Sequence, residues 1–201
     1  MKLALNNILI ASTLLLIIQN SGATSLRDIL RDTTSARPVI TPSGQQTEVG
    51  FSPEGSGEQL VLKAIASAKT EIKILSYSFT SSRVVAALID ARHRGVDISL
   101  VVDYKNNISQ DSSGKAVRAL NALSNAGAKV RTISVYAIHH DKTMIIDQRH
   151  IQTGSFNYSE AAANKNSENV IVIWNNAELA KVYLDHWRDR FSKGQDYTPK
   201  Y

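Results

Sequence analysis

The stretch His140-Asp141-Lys142-Thr143-Met144-Ile145-Ile146-Asp147 decides how this chain is read. Its centre, Thr143 to Ile146, is apolar and rich in β-branched residues, which predicts a strand. Side chains two apart on a strand share a face, so His140 and Lys142 are expected to point the same way. An imidazole beside an ammonium is the chemistry of a phosphate site. Asp147 has the opposite parity, and on an unbroken strand it cannot join that pair. It is expected to fix the strand end or the turn that follows. After six intervening residues comes Gly154-Ser155-Phe156-Asn157. Gly154 allows close backbone approach or an unusual turn. Ser155 and Asn157 again share parity, and each offers a neutral donor to a phosphate oxygen. Glu168 lies eleven residues beyond Asn157.

Working outward, the apolar spacing alternates between two periods. Val49 and Phe51 alternate as in a short strand, and Pro53 ends it. Leu60, Val61, Ala64, Ile65 and Ala68 share one helical face. Ile72 to Phe79 reads as a strand. Val84, Ala87, Leu88 and Ala91 mark a helix capped by Gly95. Ile98 to Val102 is a nearly continuous apolar run ending at Asp103, as expected of a strand covered on both faces. Val117, Leu120 and Leu123 mark a third helix, stopped by Gly127. Lys129 to Ile133 and Val170 to Trp174 read as strands, and Leu179, Tyr183, Trp187 and Phe191 form a ladder along a closing helix. Alternating strands and helices predict an α/β fold, an αβα sandwich around a mixed, mainly parallel sheet.

The pattern H-x-K-x4-D, continued by Gly154, Ser155, Asn157 and Glu168, resembles the HKD motif of the phospholipase D superfamily. H-x-K-x4-D alone would arise by chance in on the order of one per cent of chains this long. The added Gly, Ser and Asn at set positions lower that roughly a thousandfold. The similarity spans about residues 48–191, although its chemical content sits within 140–168. No second copy occurs, because His93, His139, His150 and His186 all lack a lysine two residues on. The superfamily uses two histidines, so a single-copy chain implies a homodimer whose two-fold axis joins the two motifs.

The resemblance also implies roles. His140 of one subunit attacks phosphorus to form a phosphohistidine, and His140 of the other protonates the departing oxygen and then activates water. Lys142 and Asn157 hold the nonbridging oxygens, with Ser155 as a further donor. Glu168 accepts a hydrogen bond from the second ring nitrogen of His140, as a carboxylate does behind a catalytic histidine. Asp147 is counted with the catalytic set through its place in the motif, against the parity reading given above. The expected activity is that of a secreted endonuclease acting on DNA, with RNA as a further substrate. The alternatives are a lipid phosphodiesterase of cardiolipin-hydrolase type and a non-catalytic nucleic-acid-binding module.

Length and composition bound these readings. The 201 residues suffice for one domain with a sizeable core. Lys2, the apolar run Ile8 to Ile18, and Ser21-Gly22-Ala23 predict a signal peptide over residues 1–23, and hence a secreted, periplasmic protein. An uncleaved anchor is the alternative. Residues 24–46, rich in Ser, Thr, Arg and Pro, are expected to be a flexible leader before a domain at 47–201. The chain has no cysteine, which excludes disulfides, thiolate metal sites and a cysteine nucleophile. The formal charge of +5 favours polyanions, though it suits ordinary solubility nearly as well. His139-His140-Asp141 is the one cluster that suggests a metal. Adjacent strand residues face opposite ways, and Lys142 disfavours a cation, so no cofactor is expected and His139 is read as structural.

Overall fold

The computed structural model describes residues 45–199. The signal peptide expected over 1–23, and the expected leader apart from its last two residues, lie outside the described residues. Among the described residues, eight strands form one sheet: β1 (Thr47–Ser52), β2 (Glu71–Ser76), β3 (Asp97–Asp103), β4 (Lys129–Ile133), β5 (Lys142–Ile146), β6 (His150–Gly154), β7 (Glu168–Ile173) and β8 (Gln195–Asp196). Five α-helices accompany them: α1 (Ser56–Ser67), α2 (Ser82–His93), α3 (Lys115–Asn125), α4 (Glu160–Asn164) and α5 (Ala177–Lys193), with a π-helical turn at Lys105–Ser109.

The strand order is β1-β7-β6-β5-β2-β3-β4-β8. The sheet is mixed, as expected, but it is not mainly parallel. Within it only β2–β3 and β3–β4 run parallel, and every other neighbouring pair is antiparallel. Two features account for the difference. Alternation marks a strand without giving its direction, and β6 escapes the pattern because His150, Gln152, Thr153 and Gly154 dilute its apolar signal. The β5–β6 link is a tight turn in which Arg149 N donates to the Ile146 carbonyl at 3.1 Å, with Asp147 and Gln148 at φ 50° and 54°. Two successive positive φ values are what a two-residue hairpin turn requires, and Asp tolerates them better than most residues.

The sheet separates two apolar layers. On one face Ile72, Ile74, Ile98, Leu100, Val102, Met144, Ile146, Val170 and Val172 meet α1, α2 and α3. On the other, Leu75, Val101, Ile133, Ile145 and Ile151 meet Ala180, Leu184 and Trp187 of α5. Residues two apart on β2, β3 and β5 therefore serve one layer and the intervening residue serves the other, which gives the αβα sandwich. The expected ladder on α5 splits. Trp187 is buried, while Leu179, Tyr183 and Phe191 flank the layer at its margin. Gln45 and Gln46 already belong to the fold: Trp174 N donates to the Gln46 carbonyl, and Asn176 Nδ2 to Gln45 Oε1.

Candidate active site

The parallel strands β2, β3 and β4 end together, and β5 starts where β2 stops, with Lys142 paired to Ser76. Ligand sites in α/β sheets gather at the carboxyl ends of strands, and here that edge carries the motif. The motif strand begins at Lys142, so His140 sits just outside it rather than on an unbroken strand. His140 is exposed, and its ring leans on Tyr77 at 4.6 Å between centroids. Lys142 is 7% exposed, its Nζ donates to the His140 carbonyl at 2.9 Å, and it stands 5.3 Å from the centre of the Tyr77 ring. Burial pushes the Lys142 ammonium pKa down, and the carboxylates of Asp141 and Glu168 oppose that shift. An imidazole open to solvent thus stands next to a buried cation.

Asn157 follows β6 and is brought beside the loop after β2. Phe79 and Tyr158 form a parallel bridge, and both Thr80 N and Ser81 N donate to the Tyr158 carbonyl. The buried Oδ1 of Asn157 has no hydrogen-bond partner. An amide oxygen accepts, so it is the Nδ2 of Asn157, not this atom, that can donate to a phosphate oxygen.

Ser155 and Glu168 meet each other rather than the roles expected of them. Ser155 Oγ donates to Glu168 Oε2 at 2.5 Å and accepts from Asn169 N at 3.0 Å and from Asn169 Nδ2 at 3.3 Å. Glu168 Oε1 accepts from Asn166 Nδ2 at 2.9 Å. Glu168 therefore makes no hydrogen bond to His140, and the Ser155 hydroxyl is already used. The β6–β7 register is the cause, since it sets Ser155 against the start of β7, a relation that spacing along one chain does not reveal. Gly154 makes this approach possible: its φ is 142°, and a Cβ there would lie 2.3 Å from the Asn169 carbonyl oxygen.

Asp147 is not brought to the site. It lies at the far end of β5, roughly 16 Å of strand from Lys142. Its Oδ1 accepts from Thr70 N, Thr70 Oγ1 and Glu71 N, and its Oδ2 from Lys69 N. Burial would raise its pKa, but the three backbone N–H groups and the Thr70 hydroxyl outweigh that and hold it below the usual carboxylate value. Its inclusion in the catalytic set is corrected accordingly: it clamps the turn between α1 and β2.

Two residues of this edge, Asn107 and His186, are not assigned a place in it by the sequence alone. Asn107, buried on the π-helical turn, donates to the carbonyls of Tyr77 and Asp103 and accepts from Phe79 N. It holds the loop that carries Tyr77. His139 is buried, its Nδ1 is 3.2 Å from Asp141 Oδ2, and its N–H donates to Asp103 Oδ2. Burial lowers the His139 pKa against the opposing pull of Asp141 and Asp103. His186 of α5 reaches the same Asp141 carboxylate at 3.3 Å. His139 is thus buried against Asp141, while His140 is open to solvent. Among the described residues, no three His, Asp or Glu side chains converge as metal ligands would.

The family model described as "Cardiolipin synthase, PLD-like domain" matches residues 61–190. This chain belongs to the phospholipase D superfamily. A Rickettsia bellii protein named phospholipase D is 38% identical over 140 residues, covering 70% of this chain and 66% of that relative. The chain therefore spans a little under two thirds of the length of such curated relatives. The crystal structure of a phospholipase D family member, Nuc from Salmonella typhimurium, shares 46% identity with a TM-score of 0.73, over 76% of this chain and 98% of that one. A Danio rerio mitochondrial cardiolipin hydrolase is 30% identical over 113 residues, which is 56% of this chain and 47% of that protein. Within the superfamily the Salmonella structure shares this chain's fold across nearly its own full length.

Proposed function

We propose that this chain is a metal-independent endonuclease that hydrolyses DNA through a phosphohistidine at a site shared by two copies, with RNA as the second substrate to test. The observation that carries the reading is the exposed His140 imidazole beside the buried Lys142 ammonium. A ring nitrogen of His140 attacks phosphorus, and the P–O bond to the leaving oxygen breaks. The partner subunit's His140, protonated, gives that oxygen its proton. Now neutral, it takes a proton from water, whose oxygen attacks phosphorus and releases the first histidine. Lys142 neutralises the nonbridging oxygens throughout, the role of a fixed charge aimed at developing negative charge. Glu168 acts on Lys142 through its field, and Ser155 acts by holding Glu168.

Each copy supplies one such histidine, so the mechanism needs a homodimer. Tyr104, Val135 and Ile138, at 42%, 60% and 56% exposure, lie on segments adjoining the site and offer an apolar surface to the second copy. The N-terminal segment supports export to the periplasm. Among the described residues, no helix is long and apolar enough to cross a membrane.

Lipid hydrolysis is the second reading. The Danio rerio relative's name favours it, and the same exposed apolar residues could meet a bilayer. One assay separates the readings: purified protein with plasmid DNA, RNA or cardiolipin vesicles, each with and without chelator. Nicking of DNA that survives chelation is expected. Vesicle hydrolysis with intact DNA would establish the lipid reading, and binding of DNA without cleavage would leave a non-catalytic module.

A further inference from the structure

Two loops leave the catalytic edge side by side. One runs from Tyr77 through Ser78 and Phe79 to Thr80, and the other from Asn157 through Tyr158 to Ser159. The Phe79–Tyr158 bridge joins them. Beyond the bridge they form one wall of a groove of about 720 Å³ between α2 and α3. That volume falls within the roughly 300–1,000 Å³ of small-ligand sites. The mechanism described above uses none of it.

The groove has two chemistries. Val85, Ile89, Ala119 and Ala122 form an apolar floor, and Ala86 and Ala161 continue it toward solvent. Lys115 and Arg118, both exposed, stand on the same lining. Among the described residues the Lys115 ammonium has no ion pair, while Arg118 Nη2 donates only to the Ser113 carbonyl at 3.1 Å. Glu160 is the one acid on the lining among the described residues, and it accepts from Asn164 at 2.8 Å. Lys142 has the strand parity of Met144 and Ile146, so it belongs to the same side of the sheet as α2 and α3.

We propose that this groove binds the nucleotide flanking the scissile phosphate, on an unpaired strand. A polynucleotide held at Lys142 and Asn157 has to leave the site in some direction, and the joined loops lead into this groove. Lys115 and Arg118 take the flanking phosphate, and the apolar floor takes its base. A base can reach that floor only when it is unstacked and unpaired, so the groove selects single strands. The inference rests on the nuclease reading and adds a specificity-determining subsite to it.

The test compares three substrates: a single-stranded oligonucleotide, the same sequence as a duplex, and bis(4-nitrophenyl) phosphate, a diester that carries neither a flanking phosphate nor a nucleobase. The variants are Lys115→Ala/Arg118→Ala and the groove-filling Ala86→Trp. For the double variant, KM on the single strand should rise about tenfold, and the salt dependence should flatten by about 0.7 for each phosphate that is no longer neutralised. Turnover of the small diester should stay within about twofold. Ala86→Trp should raise KM on the single strand and leave the salt slope unchanged. Unaltered KM on the single strand in both variants would overturn the proposal. So would equal losses on the oligonucleotide and the small diester in variants of normal melting temperature, because that places these residues at the reacting centre. Cardiolipin vesicles form a further arm, and variants impaired only there would make the groove an acyl-chain site and reject a nucleotide subsite. If wild-type protein turns over the small diester but no DNA, it is the nuclease reading that fails, and the subsite with it. Lys115→Gln, at an exposed helix start, keeps the test readable if the double variant folds poorly.

Discussion

The Lys142 ammonium donates to the main-chain carbonyl of His140, two residues before it, at 2.9 Å. One side chain of the candidate site thus braces the backbone that carries the other. Apart from that carbonyl and the Tyr77 ring, the cation is buried at the cost of its hydration. A buried ammonium without a carboxylate partner carries a desolvation cost that an apolar side chain of similar length does not. Lys142→Met should therefore keep or raise the melting temperature while lowering kcat on DNA by roughly 10²–10³-fold, the range seen on removing one oxyanion donor. Thermal unfolding and initial rates on the same preparation check both halves. A variant that loses stability together with activity would make Lys142 a structural brace first.

The same lysine sets an alkaline limit. Burial lowers its pKa from 10.5 in the fold, so it loses its proton at a lower pH than an exposed lysine does. Between the folded and unfolded pKa values the unfolded chain binds more protons, so this group's contribution to stability improves as pH rises. Cleavage and stability should then diverge, with kcat/KM falling through a window below pH 10.5 while Lys142's penalty on the fold is relieved. Lys142→Arg keeps its charge throughout. It should show lower activity at neutral pH and an alkaline limb displaced upward. An unmoved limb in the arginine variant would assign that ionisation to another group.

How much of this edge the sequence discloses depends on whether the cause is local. The alternation of Ile72, Ile74 and Leu75, and of Met144, Ile145 and Ile146, assigns layers correctly because strand parity is a property of consecutive residues. Parity also distances Asp147 from Lys142 and His140. What it misses comes from chain segments meeting in space. Ser155 and Glu168 are thirteen residues apart and join only through the β6–β7 register. Asn107 reaches Tyr77 across thirty residues. Asp103, at the end of an apolar strand, is the available hint that the carboxyl edge carries polar machinery.

Asp147 gives a direct test of that division. Its carboxylate accepts from three backbone N–H groups and one hydroxyl of residues 69–71. Asn suits φ 50° as well as Asp does, so Asp147→Asn removes charge without backbone strain. Charge-assisted hydrogen bonds contribute about 1.5–3 kcal/mol, and the amide retains one acceptor. A loss of about 2 kcal/mol is expected, on the order of 5 °C in melting temperature, with kcat of the folded enzyme within about twofold of wild type. The carboxylate's pKa is lowered in the fold. Its stabilisation is thus complete above the unfolded value and is lost as pH falls through the folded one. The gap between wild type and Asp147→Asn should close toward acid pH. A folded Asp147→Asn enzyme as inactive as His140→Ala would return Asp147 to the chemistry.

The shared site makes a prediction about stoichiometry. Two identical histidines must do different jobs at once, one neutral to attack and one protonated to donate. Their titrations should be coupled, with values that belong to the pair. Let wild-type chains at fraction f be refolded at random with His140→Ala chains. Were each copy a complete enzyme, activity would fall in proportion to f. Where one site spans the axis and needs both histidines, only dimers with two wild-type chains work well, and activity follows f². A heterodimer keeps a trace, because its single imidazole can still attack without an acid partner, and losing one positioned acid costs about 10²–10⁴-fold. The experiment refolds mixtures at several ratios, confirms dimers by sedimentation, and measures initial rates of DNA cleavage. A straight line through the origin, or an active monomer, would sink the shared site. The curve should instead bend below that line, with activity at equal mixing near a quarter of the all-wild-type value, because random pairing leaves about one dimer in four with both histidines.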